Sequence, residues 1–91
     1  MINYLVFDTD EKKLIFAALK LREKIISGDR DFETYLYNIQ EEVSKENVFL
    51  SRSQLDSIQN YLGSLLDYKD EYDQAAVIDL ENKIDAITEL P

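Results

Sequence analysis

Apolar residues along this chain fall into one short extended run and four blocks at helical spacing, separated by brief polar links. The first run, Ile2 to Phe7 (INYLVF), is rich in β-prone types. Asp8 follows it, and Glu11 stands three residues later, where its side chain can reach back to the cap residue's backbone N–H. A helix is therefore predicted from Asp8 to Gly28, whose missing Cβ suits the left-handed backbone that commonly ends a helix. Within it Leu14, Ala18, Leu21 and Ile25 share one stripe, with Ile15, Leu19 and Ile26 about 100° around from it. So wide an apolar arc predicts the most buried helix of the domain.

Ser27, Gly28 and Asp29 leave room for a tight reversal, and Asp29 or Asp31 can cap the second helix. Its stripe is Phe32, Leu36, Ile39 and Val43, its end lies near Asn47, and Glu41 with Lys45 makes a favourable i,i+4 pair. A third helix begins at Ser51, where Ser51 and Gln54 form a capping box and Leu50 and Leu55 stand at the positions of a hydrophobic staple. Leu55, Ile58, Leu62, Leu65 and Leu66 form its inner face, interrupted by Gly63, a residue that often marks close packing. After Asp67 the chain turns polar, and either the helix continues to residue 73 or a turn falls around residues 69 to 73. The fourth helix runs to about Glu89, with Val77, Leu80, Ile84 and Ile87 inward and Asp79 with Lys83 as an i,i+4 pair.

The expected fold is mainly α, with four antiparallel helices as two stacked hairpins and a short extended N-terminal segment. INYLVF could form a small strand with the NVFL segment before the third helix, or add to a partner's sheet edge. The pattern of Leu14, Leu21, Leu36 and Val43 recurs 41 residues later at Leu55, Leu62, Val77 and Ile84, a pseudo-repeat of 7–47 with 48–89 inside a single domain of 91 residues. Convergence on a generic helical hairpin explains that recurrence as readily as duplication does.

Composition narrows the function. There is no histidine and no cysteine, which removes the usual general base, the serine and cysteine triads and the common transition-metal ligands. Neither Asp67, Asp70 and Asp73 nor Asp29, Asp31 and Glu33 has the alternation, glycine and distant glutamate of a calcium loop, and helix capping with a solvated face accounts for both groups. The expectation is a non-enzyme without cofactor or metal. No stretch approaches the roughly 20 apolar residues of a membrane span, and the acidic start lacks the charge order of a secretory signal, so a cytoplasmic protein is expected. Nineteen acids against ten bases give a net charge of −9, which repels nucleic acid and anionic lipid. That charge either keeps the domain dissolved or presents a negative face to a basic partner, such as a nucleic-acid-binding protein.

The candidate partner-binding surface is the tyrosine and carboxylate segment, namely Tyr61, Asp67, Tyr68, Asp70, Glu71, Tyr72 and Asp73. If the third helix continues to residue 73, Tyr61, Leu65, Tyr68 and Tyr72 share a stripe flanked by acids. Tyrosine gives large contact area at low entropic cost and a hydroxyl, as interface hot spots do. The alternative places these rings at the margin of the bundle with their hydroxyls in water. A rival interface comprises Tyr4, Phe16 and Tyr37, aromatic positions off the apolar stripes, with Phe16 either covered by the N-terminal segment or serving a homodimer.

In size, charge and helical pattern the chain resembles the small acidic accessory proteins of phages and mobile elements, including anti-CRISPR and other anti-defence inhibitors. The resemblance extends over the whole chain, and no motif carries it. It implies occlusion of a partner in the host cytoplasm, with carboxylates standing in for nucleic-acid phosphates. The rival functions are an immunity protein that neutralises a co-encoded toxin and a self-associating structural or assembly subunit.

Overall fold

Two capping boxes, at Asp8 and at Ser51, start the first and third helices. The Asp8 carboxylate accepts the Glu11 N–H at 2.8 Å while Glu11 Oε1 accepts the Asp8 N–H at 2.9 Å, and Ser51 and Gln54 exchange the same pair of bonds at 3.1 and 2.9 Å. The computed structural model describes residues 2–26, 28–68 and 71–88, with residues 2–5 described by their backbone. Its elements are β1 (Ile2–Leu5), α1 (Thr9–Ile25), α2 (Arg30–Val43), β2 (Val48–Ser51), α3 (Arg52–Leu65) and α4 (Gln74–Thr88). The fold is mainly α, with four antiparallel helices arranged as the hairpins α1–α2 and α3–α4.

Long-range bonds give the helix directions. Lys12 at the start of α1 donates to the Lys45 carbonyl just beyond α2, and Gln59 at the middle of α3 donates to the Glu81 carbonyl at the middle of α4. Arg22 near the end of α1 reaches Ser64 near the end of α3, so those two helices run in the same sense.

The INYL and VFLS segments pair antiparallel, with Ile2 opposite Ser51 and Leu5 opposite Val48. Along β2 the side chains alternate, Val48 and Leu50 fully buried and Phe49 turned outward, as the two-residue strand period requires. Glu42 accepts the Phe49 N–H at 3.0 Å, which satisfies a backbone donor on the side of β2 away from β1.

Leu36, Ile39 and Val43 of α2, Leu55, Ile58, Leu62 and Leu65 of α3, and Val77, Leu80 and Ile84 of α4 are buried as their spacing predicted. In α1 the arc is oriented differently. Ile15, Ala18 and Leu19 occupy the buried centre, while Leu14 and Leu21 are half-buried and Ile25 is 60% exposed. The apolar arc is wider than the area its neighbours cover. Because Arg22 already lies level with Ser64 in the last turn of α3, the residues after it project past that helix, which leaves Ile25 and Ile26 in solvent. The helix ends at Ile25, short of Gly28, which holds a φ of 96°. The helix with the most completely buried face is accordingly α3, which packs on both α1 and α4.

Three local expectations give way to other contacts. Lys45 pairs with Glu42 at 2.8 Å instead of Glu41, since Glu42 already faces the turn into β2. Lys83 pairs with Glu11 instead of Asp79. A Cβ built on Gly63 would meet nothing within 4 Å, so close packing does not account for this glycine. No helix among the described residues is long and apolar enough to cross a membrane.

Candidate interaction surface

The described part of the tyrosine and carboxylate segment is not a continuation of α3. The helix ends at Leu65, where the N–H groups of Leu66, Asp67 and Tyr68 turn to carbonyls three residues back, the tightening common in a last turn. Glu71 and Tyr72 then both donate backbone N–H groups to the Tyr68 carbonyl, at 3.1 and 3.2 Å. The Asp73 carboxylate accepts from the Ala75 and Ala76 N–H groups at 3.0 and 3.4 Å, so this acid caps α4. Asp70 lies outside the described residues.

The proposed stripe of Tyr61, Leu65, Tyr68 and Tyr72 is thereby broken. Leu65 is fully buried. Tyr61 packs inward in an aromatic seam, edge-on to Phe32 with centroids 6.4 Å apart and beneath the Arg22 guanidinium at 4.8 Å. Phe32 also meets Tyr35, whose hydroxyl bonds Ser57 at 2.8 Å. Arg22 Nη2 donates to Ser64 at 3.2 Å, while its buried Nε has no hydrogen-bond partner among the described residues. Tyr61 and Arg22 hold α1, α2 and α3 together at one end of the bundle.

Tyr68, 43% exposed, lies beside the exposed acids Asp67 and Glu71, while Tyr72 is half-buried against the core. Tyr68, Glu71 and Tyr72 form one wall of a groove of about 430 Å³. The opposite wall is α1, through Ala17, Lys20, Leu21 and Lys24. On the other side of Tyr72 a separate depression of about 320 Å³ is lined by Asp10, Lys13, Leu14, Asp73 and Ala76. The sequence reading missed the lysines. Their signal was present in the order Lys13-Leu14, Lys20-Leu21 and Lys24-Ile25, each cation immediately before an apolar residue.

Of the rival interface, Phe16 lies on α1 and Tyr37 on α2. Phe16 is half-buried and packs on the core at the other edge of the α1 arc, so it is no stray aromatic. Tyr37 is 58% exposed on α2, with Glu41 beside it holding its phenol above the ordinary pKa. Tyr4 stands opposite Phe49 in the strand register, and its side chain lies outside what is described.

Among the described residues no group of three or more His, Cys, Asp or Glu is placed to hold a metal ion. Compared with protein-family models, curated proteins and solved structures, the chain matches none.

Proposed function

We propose that this chain is a non-catalytic protein-binding inhibitor or modulator that acts by occlusion. It docks the 66–73 link onto a basic surface of its partner, as an anti-CRISPR or other phage-encoded anti-defence protein would within the host cytoplasm. The observation that carries this reading is Tyr68, an exposed aromatic set beside Asp67 and Glu71, whose own N–H bonds the Leu65 carbonyl and whose carbonyl accepts the Glu71 and Tyr72 N–H groups. An exposed aromatic rimmed by charge is the composition of an interface hot spot. The net charge of −9 favours a basic partner such as a nucleic-acid-binding protein, speeds encounter with it and disfavours direct binding to nucleic acid.

The test begins by capturing the partner from the native host on immobilised full-length protein and identifying it by mass spectrometry. Its affinity is then measured against the triple variant Asp67→Lys, Tyr68→Ala, Glu71→Lys, with Asp73 left in place because it caps α4. The variant is expected to bind at least about tenfold more weakly and with a shallower salt dependence. Unchanged affinity would remove the link from the interface.

A further inference from the structure

The strand pair caps its outward backbone groups with side chains, except along one short stretch of β1. Ser51 and Phe49 turn their N–H groups away from β1, to Gln54 Oε1 at 2.9 Å and Glu42 Oε1 at 3.0 Å. In an antiparallel ladder a residue's N–H and C=O point to the same side, and residues directly opposite either bond each other or both turn outward. Ile2, opposite Ser51, and Tyr4, opposite Phe49, therefore turn their N–H and C=O groups away from β2, while Asn3 and Leu5 bond to Leu50 and Val48. The sheet has two strands, so β1 is an edge, and among the described residues Ile2 and Tyr4 form no backbone bond on that side. The next outward carbonyl, that of Val6, is taken by the Lys83 ammonium at 2.9 Å. The open edge thus runs from Ile2 to Tyr4 and stops at Lys83.

From this arrangement we infer that a second copy of the chain pairs with the open edge. β1 lies antiparallel to β1 of the other copy about a two-fold axis through Asn3, which continues the two-stranded sheet across a dimer. In that register Ile2 of each copy stands opposite Tyr4 of the other, and each such pair exchanges its outward N–H and C=O bonds, so no open group is left over. The occupant is a strand because extended backbone is what matches edge donors and acceptors at this spacing. It is a copy of this chain because the open groups are symmetric about Asn3 and because Ile2 to Phe7 carry no charge, proline or glycine. Two copies that each bear a net charge of −9 accordingly meet along a neutral, β-prone strand with none of the devices that keep edges apart. A sheet of two strands is marginal alone, and addition at the edge strengthens it. The contact is narrow, which sets a weak dimer with a Kd on the order of 100 µM. The inference uses no residue of the 66–73 link and stands or falls separately from the function proposed above.

Sedimentation equilibrium of the full-length protein from about 10 µM to about 1 mM is expected to show a monomer–dimer equilibrium. Amide exchange followed by NMR over the same range reads the two sides of β1 separately. The Asn3 and Leu5 amides, bonded within the chain, should exchange at a rate independent of concentration, while the Tyr4 amide should slow about fivefold as the dimer forms. Tyr4→Pro removes an outward N–H and leaves the bonds of Asn3 and Leu5 to β2, so it should keep the circular dichroism of the fold and weaken association at least about tenfold. Tyr4→Lys keeps the backbone donor, sets a charge on the edge and should weaken association as well. A monomer at about 1 mM, a dimer whose Tyr4 exchange does not respond to concentration, or a dimer that both variants retain would overturn the inference.

Discussion

The Lys83 ammonium lies 3.0 Å from Glu11 Oε1, joining α4 to the first turn of α1 across 72 residues of chain. The same oxygen accepts the Asp8 N–H of the capping box, and the same ammonium donates to the Val6 carbonyl at 2.9 Å and lies 5.0 Å from the centre of the Phe7 ring. One carboxylate thus closes a helix terminus and anchors the last helix. The ion pair is partly exposed and is worth at most about 1 kcal/mol, and the bond to Val6 adds about 1 kcal/mol. Lys83→Met is accordingly expected to lower the unfolding free energy by about 1–2 kcal/mol in urea titrations. Glu11→Ala should cost more than Glu11→Gln, since glutamine keeps the reciprocal cap. A double-mutant cycle of Glu11→Gln with Lys83→Met should return a coupling of about 0.5–1 kcal/mol, and zero coupling would mean the pair does not fasten α4.

The two glycines should respond oppositely to alanine. Gly63 lies inside α3 with open space where a Cβ would go, so Gly63→Ala should stabilise the domain by about 0.5–1 kcal/mol through lower unfolded-state entropy and better helix propensity. Gly28 also has open space, but its φ of 96° strains any L side chain, and Gly28→Ala should cost about 1–2 kcal/mol. Thermal midpoints would separate the two by several degrees in opposite directions, since about 1 kcal/mol corresponds to roughly 4–8 °C in a domain of this size.

What was legible in the sequence was local. Asp8 with Glu11 and Ser51 with Gln54 are reciprocal bonds three residues apart, so the residue types and their spacing suffice to place two helix starts. The inner faces of α2, α3 and α4 follow from a period that a single helix imposes on itself. The orientation of α1 was not local. Its arc was wide enough for several orientations, and its neighbours, placed by contacts such as Arg22 with Ser64, decided that Ile15 and Leu19 would be central and Ile25 exposed. The ion pairs behaved alike, with Lys83 finding Glu11 across the whole fold. The candidate surface was half legible. Tyr68 beside carboxylates could be read from the chain, but the end of α3 at Leu65 and the packing of Tyr61 against Phe32 and Arg22 depend on neighbouring helices far away in sequence.

Two glutamates should give the folded state opposing pH responses. The Glu42 carboxylate accepts from the Lys45 ammonium at 2.8 Å and the Phe49 N–H at 3.0 Å, and both bonds favour its ionised form and hold its pKa below the ordinary value. Its stabilisation is therefore fully present above the ordinary glutamate pKa and is lost as pH falls through the lower folded value. Burial raises the pKa of Glu81, so its penalty is absent in acid, grows as pH rises from the ordinary value to the folded one, and persists above it. Glu42→Gln should consequently destabilise the domain at neutral pH, with the difference shrinking as pH falls through the lowered folded value of the wild-type carboxylate. Glu81→Gln should stabilise it at neutral pH and have little effect in acid. Urea midpoints measured from about pH 3 to pH 7 would resolve both slopes. A Glu42→Gln deficit that stayed constant into acid would mean that the side chain supports the turn between α2 and β2 by its shape and its bond to Phe49, with its charge contributing nothing.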